Sequence, residues 1–156
     1  MAEQRRGRSI AMTPEERDAF LGSERTCRVA TVTAAGKPHV TPLWFVWHGD
    51  ACWLYSIVRS QRWTDLARDP NVSVIVDGGQ DYLELCGVEL SGAVEVVGEV
   101  PRVGAPVPEL EPVEHLFATK YHGVTPMTHD ERHAWLRLVP AKIVSWDFKK
   151  LAGLSR

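Results

Sequence analysis

Three stretches of alternating, β-branched and aromatic residues follow one another along the chain with only short turns between them. They cover residues 26–33, 39–47 and 52–58, and the segments that separate them, Ala35-Gly36-Lys37 and His48-Gly49-Asp50, have the composition of tight turns. Strands joined this closely can pair only in antiparallel fashion, because a parallel pair needs a crossover of about a dozen residues. The sequence therefore predicts an antiparallel meander here and excludes a βαβ unit.

The remaining strand-like stretches extend this meander into a barrel. Their bounds are 71–77, 82–90, 92–100, 135–138 and 142–148, the last two separated by Pro140. Together they give six to eight mostly antiparallel strands, which predicts a mainly β fold, a small β-barrel with short helices attached. Pro42 in the second strand cannot donate to a ladder, so this strand is expected at a sheet edge or at a bulge.

Capping signals predict the short helices. Thr13-Pro14-Glu15-Glu16 is a capping box with proline at the first helical position, and Gly22 ends that helix. A second helix is expected over 61–68 and a third over 113–121. A second capping box, Thr128-His129-Asp130-Glu131, predicts one more helical turn.

Length and composition indicate one domain. The chain has 156 residues, 44 % hydrophobic and 24 % charged, which is enough for a single core. Residues 12–151 are expected to form this domain, with a disordered basic tail over 1–11 and a C-terminal tail over 152–156.

No apolar run reaches the ~20 residues of a membrane span. A net charge of −2 is not typical of a nucleic-acid-binding protein, and three cysteines without Cys-x-x-Cys spacing favour the cytoplasm over a disulfide framework.

Common catalytic and metal motifs are absent from the sequence. There is no Gly-x-Ser-x-Gly elbow, no P-loop and no Gly-x-Gly-x-x-Gly, which argues against a hydrolase, a nucleoside triphosphatase and a Rossmann nicotinamide site. His129 and His133 have the spacing that lets two imidazoles share an ion, but the run His-Asp-Glu-Arg-His matches neither order of the zinc protease motif. A solvated helix face is the better interpretation, and no metal site is expected.

The stretch from Ser56 to Trp63 is the strongest local signal for a ligand. It combines hydroxyls, the two arginines Arg59 and Arg62, and the unpaired backbone N–H groups of a helix start, all of which favour a bound phosphate. An ordinary capped surface helix with solvated arginines is the commoner meaning of such a run. Arg62 is expected on the helix surface, where its replacement would change folding little.

Four segments occur in an order that resembles one superfamily. They are Pro38-His39-Val40-Thr41-Pro42-Leu43-Trp44-Phe45, Ser60-Gln61-Arg62 with Asp65-Leu66 and Asp69-Pro70, Gly92-Ala93-Val94-Glu95-Val96, and Pro140-Ala141-Lys142-Ile143-Val144-Ser145-Trp146-Asp147-Phe148-Lys149. Over about residues 12–151 the chain resembles the pyridoxamine 5′-phosphate oxidase-like split β-barrel proteins. Within them it is most similar to the flavin/deazaflavin oxidoreductase branch B, which binds coenzyme F420. The resemblance implies a six-stranded antiparallel split β-barrel and a homodimer with the cofactor at the subunit interface.

The resemblance also assigns residues to the cofactor groove. The implied positions are Val40, Thr41, Pro42, Ser56, Ile57, Val58, Ser60, Gln61, Arg62, Trp63, Lys120 and Tyr121. Ser60, Gln61 and Arg62 would hold the phosphate, with arginine where the family usually has lysine. Trp63 stands where a small residue is typical. The chain lacks the Arg-x-His end of the vitamin B6 oxidases, and no catalytic residue is assigned.

The implied function is hydride transfer between F420 and an unsaturated organic small molecule, with the redox chemistry carried by the cofactor. Lys37, Arg59 and Arg68 are candidates to meet the carboxylates of the F420 tail. Three alternatives stay open: an FMN-binding oxidase or reductase of the same fold, a non-catalytic cofactor-binding protein, and a plain structural barrel. The six tryptophans favour a pocket or an interface over a plain barrel.

Overall fold

The computed structural model describes residues 1–153, and strands dominate this part of the chain. The strands are β1 Thr26–Val32, β2 Pro38–His48, β3 Ala51–Ile57, β4 Asn71–Gly78, β5 Cys86–Val97, β6 His133–Leu138 and β7 Lys142–Asp147. The α-helices are α1 Pro14–Ser23, α2 Gln61–Arg68 and α3 Leu110–Tyr121. Short 3-10 helices cover Arg8–Ile10, Tyr82–Glu84 and Phe148–Gly153.

Six of these strands close into an antiparallel barrel. The order is β4-β1-β2-β3-β6-β5, and the pairing of β4 with β5 closes the ring. The seventh strand, β7, pairs with residues 86–91 of β5, whereas β6 pairs with residues 94–97 of the same strand. The mainly β, six-stranded barrel with short helices is thereby confirmed, and so is the meander of β1, β2 and β3.

The long strand β5 corrects the sequence prediction, which divided it into strands over 82–90 and 92–100. Residues 82–84 form a 3-10 helix instead, and Gly92 pairs with Val72 in the middle of β5. A side chain at Gly92 would stand 3.1 Å from the backbone nitrogen of Ala141 and 3.2 Å from the carbonyl oxygen of Val139. The glycine therefore permits the close approach of the link between β6 and β7, and does not form a turn.

The second predicted capping box is also wrong, because residues 128–131 are not helical. The Asp130 carboxylate accepts the backbone N–H groups of Arg132 and His133 at 2.9 and 3.2 Å. These are the residues at which β6 begins, so the carboxylate orders the entry into a strand. The same local chemistry serves a helix start and a turn, since Asp bonds to nearby N–H groups in both.

The N-terminal segment lies against β7, in contrast to the disordered tail expected over residues 1–11. Ala2 forms a parallel bridge with Lys142, and the Gln4 side chain exchanges two hydrogen bonds with the Ser145 backbone at 3.1 and 3.0 Å. The Ser145 hydroxyl accepts the Met12 N–H at 3.0 Å. Of the expected C-terminal tail, residues 152–153 belong to the last 3-10 helix, and residues 154–156 lie outside the described residues.

Two apolar clusters hold the barrel and its helices. The barrel interior is filled by fully buried side chains such as Val29, Phe45, Leu54 and Leu90. The second cluster lies outside the barrel, where Val113 and Phe117 of α3 cover Trp53 and Trp135. Within residues 1–153 no helix is long and apolar enough to cross a membrane.

The strand β2 has an open edge, as Pro42 predicted. Residues 38–44 of β2 pair with β1, and residues 45–48 pair with β3. Along 38–44 the side of β2 away from β1 has no strand partner among residues 1–153. Val40 and Trp44 on this stretch are 63 % and 42 % exposed, which is unusual for large apolar side chains on a barrel.

Candidate functional site

A polar cluster closes one end of the barrel interior. Strand side chains alternate between faces, so Thr31 on β1, Thr41 on β2 and Ser56 on β3 point to the same side as the core residues Val29 and Leu54. The helix α2 packs over this end and sends Leu66 into the barrel core. The hydroxyls therefore face the underside of α2.

Arg62 of α2 connects these hydroxyls. Its Nε donates to the Ser56 hydroxyl at 3.1 Å, and its Nη1 donates to the Thr41 hydroxyl at 2.5 Å. Arg62 is only 6 % exposed, which corrects the expectation of a solvated surface arginine. Burial lowers the pKa of the guanidinium, yet arginine stays charged at neutral pH. Its Nη2 makes no hydrogen bond within residues 1–153.

The start of α2 supplies backbone donors rather than further side chains. The Ser60 hydroxyl accepts the Trp63 N–H at 3.1 Å and donates to the Ile57 carbonyl at 2.8 Å, so it is occupied as the helix cap. The Gln61 amide donates to Asp65 at 2.7 Å. The N–H groups of Gln61 and Arg62 have no intrahelical acceptor, because the first turn of a helix leaves them free. N–H groups of this kind, together with a guanidinium, are the donors that favour an anion at the positive end of a helix dipole.

Asp65 is a buried member of this cluster that belongs to one of the four family segments but was not among the predicted groove residues. Its carboxylate accepts the Thr31 hydroxyl at 2.7 Å in addition to the Gln61 amide. The hydrogen bond from Thr31 lowers the pKa of Asp65, so the carboxylate is ionised at neutral pH. The signal in the sequence was the spacing of Gln61 and Asp65, which places both on one helix face.

The other predicted groove residues are divided between two faces. Val40 and Pro42 point away from Thr41, because neighbouring side chains on a strand alternate. Ile57 and Val58 lie at the end of β3, where the Val58 N–H donates to the Arg132 carbonyl at 2.9 Å. Trp63 faces another side of α2 and lines a small cleft of about 80 Å³ with Val94 and Val96, away from the hydroxyl cluster.

Lys120 and Tyr121 contact β2 at a different point. The Lys120 ammonium lies 4.3 Å from the centre of the Phe45 ring, and burial, together with Arg25, lowers its pKa to about 8. The Tyr121 hydroxyl accepts the Phe45 N–H at 3.1 Å, and burial raises its pKa to about 12. Phe45 and Thr41 are four residues apart, about 13 Å along the strand. Within one chain, therefore, the structure does not bring Lys120 and Tyr121 to the Arg62 cluster.

An aromatic cleft of about 360 Å³ lies beside α3 on the outer side of the barrel. The aromatic cleft is lined by Leu43, Trp44, Tyr55, Phe117, His122, Met127, Thr128, Asp130 and His133. The Tyr55 ring stacks on the His133 ring with centroids 4.7 Å apart, and the His133 Nδ1 lies 2.6 Å from the Asp130 carboxylate. The sequence analysis missed this cleft, although the alternation of Trp53, Tyr55 and Ile57 indicated that Tyr55 leaves the barrel interior.

The histidine pair considered for a metal ion is not assembled. His129 hydrogen-bonds to Glu114 at 3.0 Å, whereas His133 pairs with Asp130. Within residues 1–153 no group of three or more potential ligands could hold a metal ion.

A closed six-stranded antiparallel barrel with short helices is the fold of the split β-barrel proteins. Within this class the chain belongs to the pyridoxamine 5′-phosphate oxidase family, whose sequence profile matches residues 13–147. This match confirms the resemblance inferred from the four ordered segments.

Solved structures share the fold at modest identity. A conserved hypothetical protein from Mycobacterium tuberculosis is 28 % identical with a TM-score of 0.71, over 97 % of this chain and 93 % of that one. An F420 reductase is 19 % identical with a TM-score of 0.64, over 85 % and 98 % of the two chains. A heme storage protein from Vibrio cholerae is 15 % identical with a TM-score of 0.66, over 85 % and 94 %. No curated protein matches the chain. The likenesses to the F420 reductase and to the heme storage protein establish the fold alone.

Proposed function

We propose that the protein binds coenzyme F420 through its phosphate at the start of α2 and transfers a hydride between this deazaflavin and an unsaturated organic substrate. The observation that carries the proposal is the buried Arg62, held by Thr41 and Ser56, on the first turn of a helix whose first N–H groups lack an intrahelical acceptor. These groups fit a phosphate, because they supply positive charge and donors at a helix N-terminus. The fold is compatible with this cofactor, since a solved F420 reductase shares it.

The roles of the residues follow from this arrangement. When bound, the cofactor supplies the hydride chemistry, and the protein supplies binding and orientation. Thr41 and Ser56 hold the Arg62 guanidinium in one position, so little side-chain entropy is lost when an anion binds. Lys37, Arg59 and Arg68 are exposed, and we propose that they meet the carboxylates of the F420 tail.

FMN is the second candidate, because it also carries a phosphate that Arg62 could hold. The two cofactors differ beyond this phosphate, where F420 has a tail with several carboxylates. Exposed ion pairs contribute only about 0–1 kcal/mol each and are screened by salt. A dependence of affinity on ionic strength therefore distinguishes a bound carboxylate tail from a bound phosphate alone.

Protein purified from a host that lacks F420 is expected to be colourless and to quench the fluorescence of added F420 at low micromolar concentration. Raising the salt concentration should weaken this binding more than it weakens the binding of FMN. The measurement is a fluorescence titration with each cofactor at two ionic strengths, followed by turnover of the reduced cofactor with a panel of acceptors. A yellow preparation that retains stoichiometric FMN and ignores F420 would favour the FMN-binding alternative. Binding without turnover would favour a non-catalytic cofactor-binding protein.

We propose in addition that the protein is a homodimer, with the open edge of β2 at the interface. Val40 and Trp44 stand exposed along residues 38–44, where β2 has a strand partner on one side only. Apolar side chains beside an open strand edge are typical of a surface that meets a second copy about a two-fold axis.

Sedimentation at micromolar concentration is expected to give twice the 17.4 kDa chain mass. Val40→Glu should shift the equilibrium towards the monomer, because it places a charge on the apolar surface at this edge. Leu83→Glu is the matched control, since Leu83 is also exposed but lies in the 3-10 helix Tyr82–Glu84. A wild-type protein that sediments as a monomer would remove the dimer from the proposal.

A further inference from the structure

The Tyr55 hydroxyl is a buried donor that the cofactor proposal leaves unused. Within residues 1–153 it is the one buried side-chain polar atom that has no hydrogen-bond partner. Tyr55 itself is 7 % exposed and lines the aromatic cleft. A buried polar group without a partner destabilises a protein, so this hydroxyl gains a hydrogen bond when a partner arrives from outside.

The walls of the aromatic cleft suit a flat ring. The Tyr55 ring stacks on His133 and meets the Phe117 ring edge to face at 5.5 Å, and Trp44 is held parallel to Tyr121 at 4.3 Å. These contacts fix the rings before a ligand binds. Aromatic surfaces of this kind pack against planar conjugated molecules with little loss of side-chain entropy.

Charge selects among such molecules. The aromatic cleft has no lysine or arginine among its nine lining residues, and its one carboxylate belongs to Asp130. Backbone N–H groups of Arg132 and His133 hold this carboxylate in place. Burial raises the pKa of the Tyr55 phenol, and the nearby Asp130 raises it further, so the hydroxyl stays protonated and can donate a hydrogen bond to an acceptor oxygen. An anionic ligand would meet the Asp130 charge, and no lysine or arginine lines the cleft to offset it.

We infer that the aromatic cleft is the substrate subsite, and that it takes a neutral planar conjugated carbonyl compound whose oxygen accepts a hydrogen bond from Tyr55. The inference rests on the proposed function only in naming this ligand as the hydride acceptor. The binding itself needs no cofactor.

The test uses benzylideneacetone, a planar conjugated ketone, titrated by calorimetry at pH 8 into the full chain. We expect saturable binding that Tyr55→Phe weakens about three- to tenfold, the range for one neutral hydrogen bond. Tyr82→Phe is the matched control, because Tyr82 is 67 % exposed and packs against Phe148 away from the cleft. The melting temperature of Tyr55→Phe should equal or exceed that of the wild type, since the lost hydroxyl has no partner in the free protein.

Two further ligands separate hydrogen bonding from ring stacking and charge. The hydrocarbon β-methylstyrene should bind wild type and Tyr55→Phe equally, because it offers no oxygen. Cinnamate, with the same ring and a carboxylate, should bind at least tenfold more weakly than the ketone. Equal affinity of the ketone for wild type and Tyr55→Phe, equal affinity of cinnamate and ketone, or no ketone binding would each overturn the inference.

A titration of F420 into the same preparation keeps this inference distinct from the cofactor proposal. Binding of F420 without binding of the ketone overturns the inference alone, and binding of the ketone without binding of F420 overturns the cofactor proposal alone. If F420 and the ketone compete for one site, the aromatic cleft holds the cofactor ring and the assignment to substrate is wrong.

Discussion

Replacing Glu114 by alanine is expected to lower the free energy of unfolding by about 3 kcal/mol, the lower end of the range for a broken buried ion pair. The Glu114 carboxylate accepts hydrogen bonds from Arg102 at 2.7 and 3.2 Å and from the Trp135 indole at 3.0 Å. The Arg102 side chain is only 4 % exposed, so it cannot turn to water when this partner is lost. In Glu114→Ala, Arg102 still pairs with Glu99 at 2.6 Å. Because one ion pair remains, the expected loss of stability lies at the lower end of that range. Chemical denaturation of the two proteins measures the difference.

Glu111→Ala is the matched control for Glu114→Ala. Glu111 lies on the same helix, α3, but it is exposed, and its removal should cost under about 1 kcal/mol. If the two variants lose the same stability, the buried network around Glu114 does not stabilise the fold.

The same network predicts how stability depends on pH. Burial alone raises the pKa of Glu114, but the hydrogen bonds from Arg102, His129 and Trp135 outweigh it and leave the pKa below its ordinary value of 4.5. For Glu99, burial is likewise outweighed by hydrogen bonds to backbone N–H groups and Arg102, and its pKa falls to about 2. A carboxylate with a lowered pKa stabilises the fold above its unfolded pKa and loses this contribution as the pH falls towards the folded value. Stability should therefore decline between about pH 4.5 and pH 2, and less steeply in Glu114→Gln.

Replacing Arg62 by alanine is expected to weaken cofactor binding by about 1.5–3 kcal/mol, the value of a hydrogen bond to a charged group. It should also destabilise the fold by about 1–2 kcal/mol, because the Thr41 and Ser56 hydroxyls lose their partner at the closed end of the barrel. Titration with F420 and with FMN measures the first effect, and chemical denaturation measures the second.

Two further variants separate these effects. Arg62→Lys keeps the positive charge but loses the planar guanidinium that can donate two hydrogen bonds to one anion. This variant should therefore retain part of the affinity for the cofactor. Arg28→Ala is the control, because Arg28 is half exposed on β1 and pairs with Asp77 on the surface, where an ion pair contributes about 0–1 kcal/mol. An Arg62→Ala variant that binds both cofactors as tightly as the wild type would remove Arg62 from the proposed phosphate site.

Elements that depend on neighbouring residues could be predicted from the sequence. The capping box of Thr13 and Glu16 forms both of its hydrogen bonds, at 3.2 and 2.8 Å, and α2 has the predicted bounds Gln61–Arg68. The meander of β1 to β3 follows from short turns, and the open edge of β2 follows from Pro42. Each of these results rests on residues within a few positions of one another, where propensity, capping and turn chemistry act directly.

The candidate site could be predicted only in part, because it joins residues that are far apart in the chain. The run from Ser56 to Trp63 contains the donors of the proposed phosphate site, but the burial of Arg62 depends on Thr41, which lies 21 residues away on β2. The aromatic cleft joins Trp44 and Tyr55 to Phe117 and His133 and has no local pattern in the chain. Sequence order alone does not specify which distant side chains share a cavity.

The sequence by itself determined the helices α1 and α2, the strands β1 to β4, the antiparallel pairing of the meander and the family. The tertiary structure decided that β5 is one strand, that residues 2–12 pack on β7, that Arg62 is buried and that Tyr55 faces the aromatic cleft without a partner. The physical reason is that local elements are selected by backbone conformation and short-range hydrogen bonds. Barrel closure, burial and cavities arise from contacts between residues far apart in the chain, which form only when the whole barrel packs.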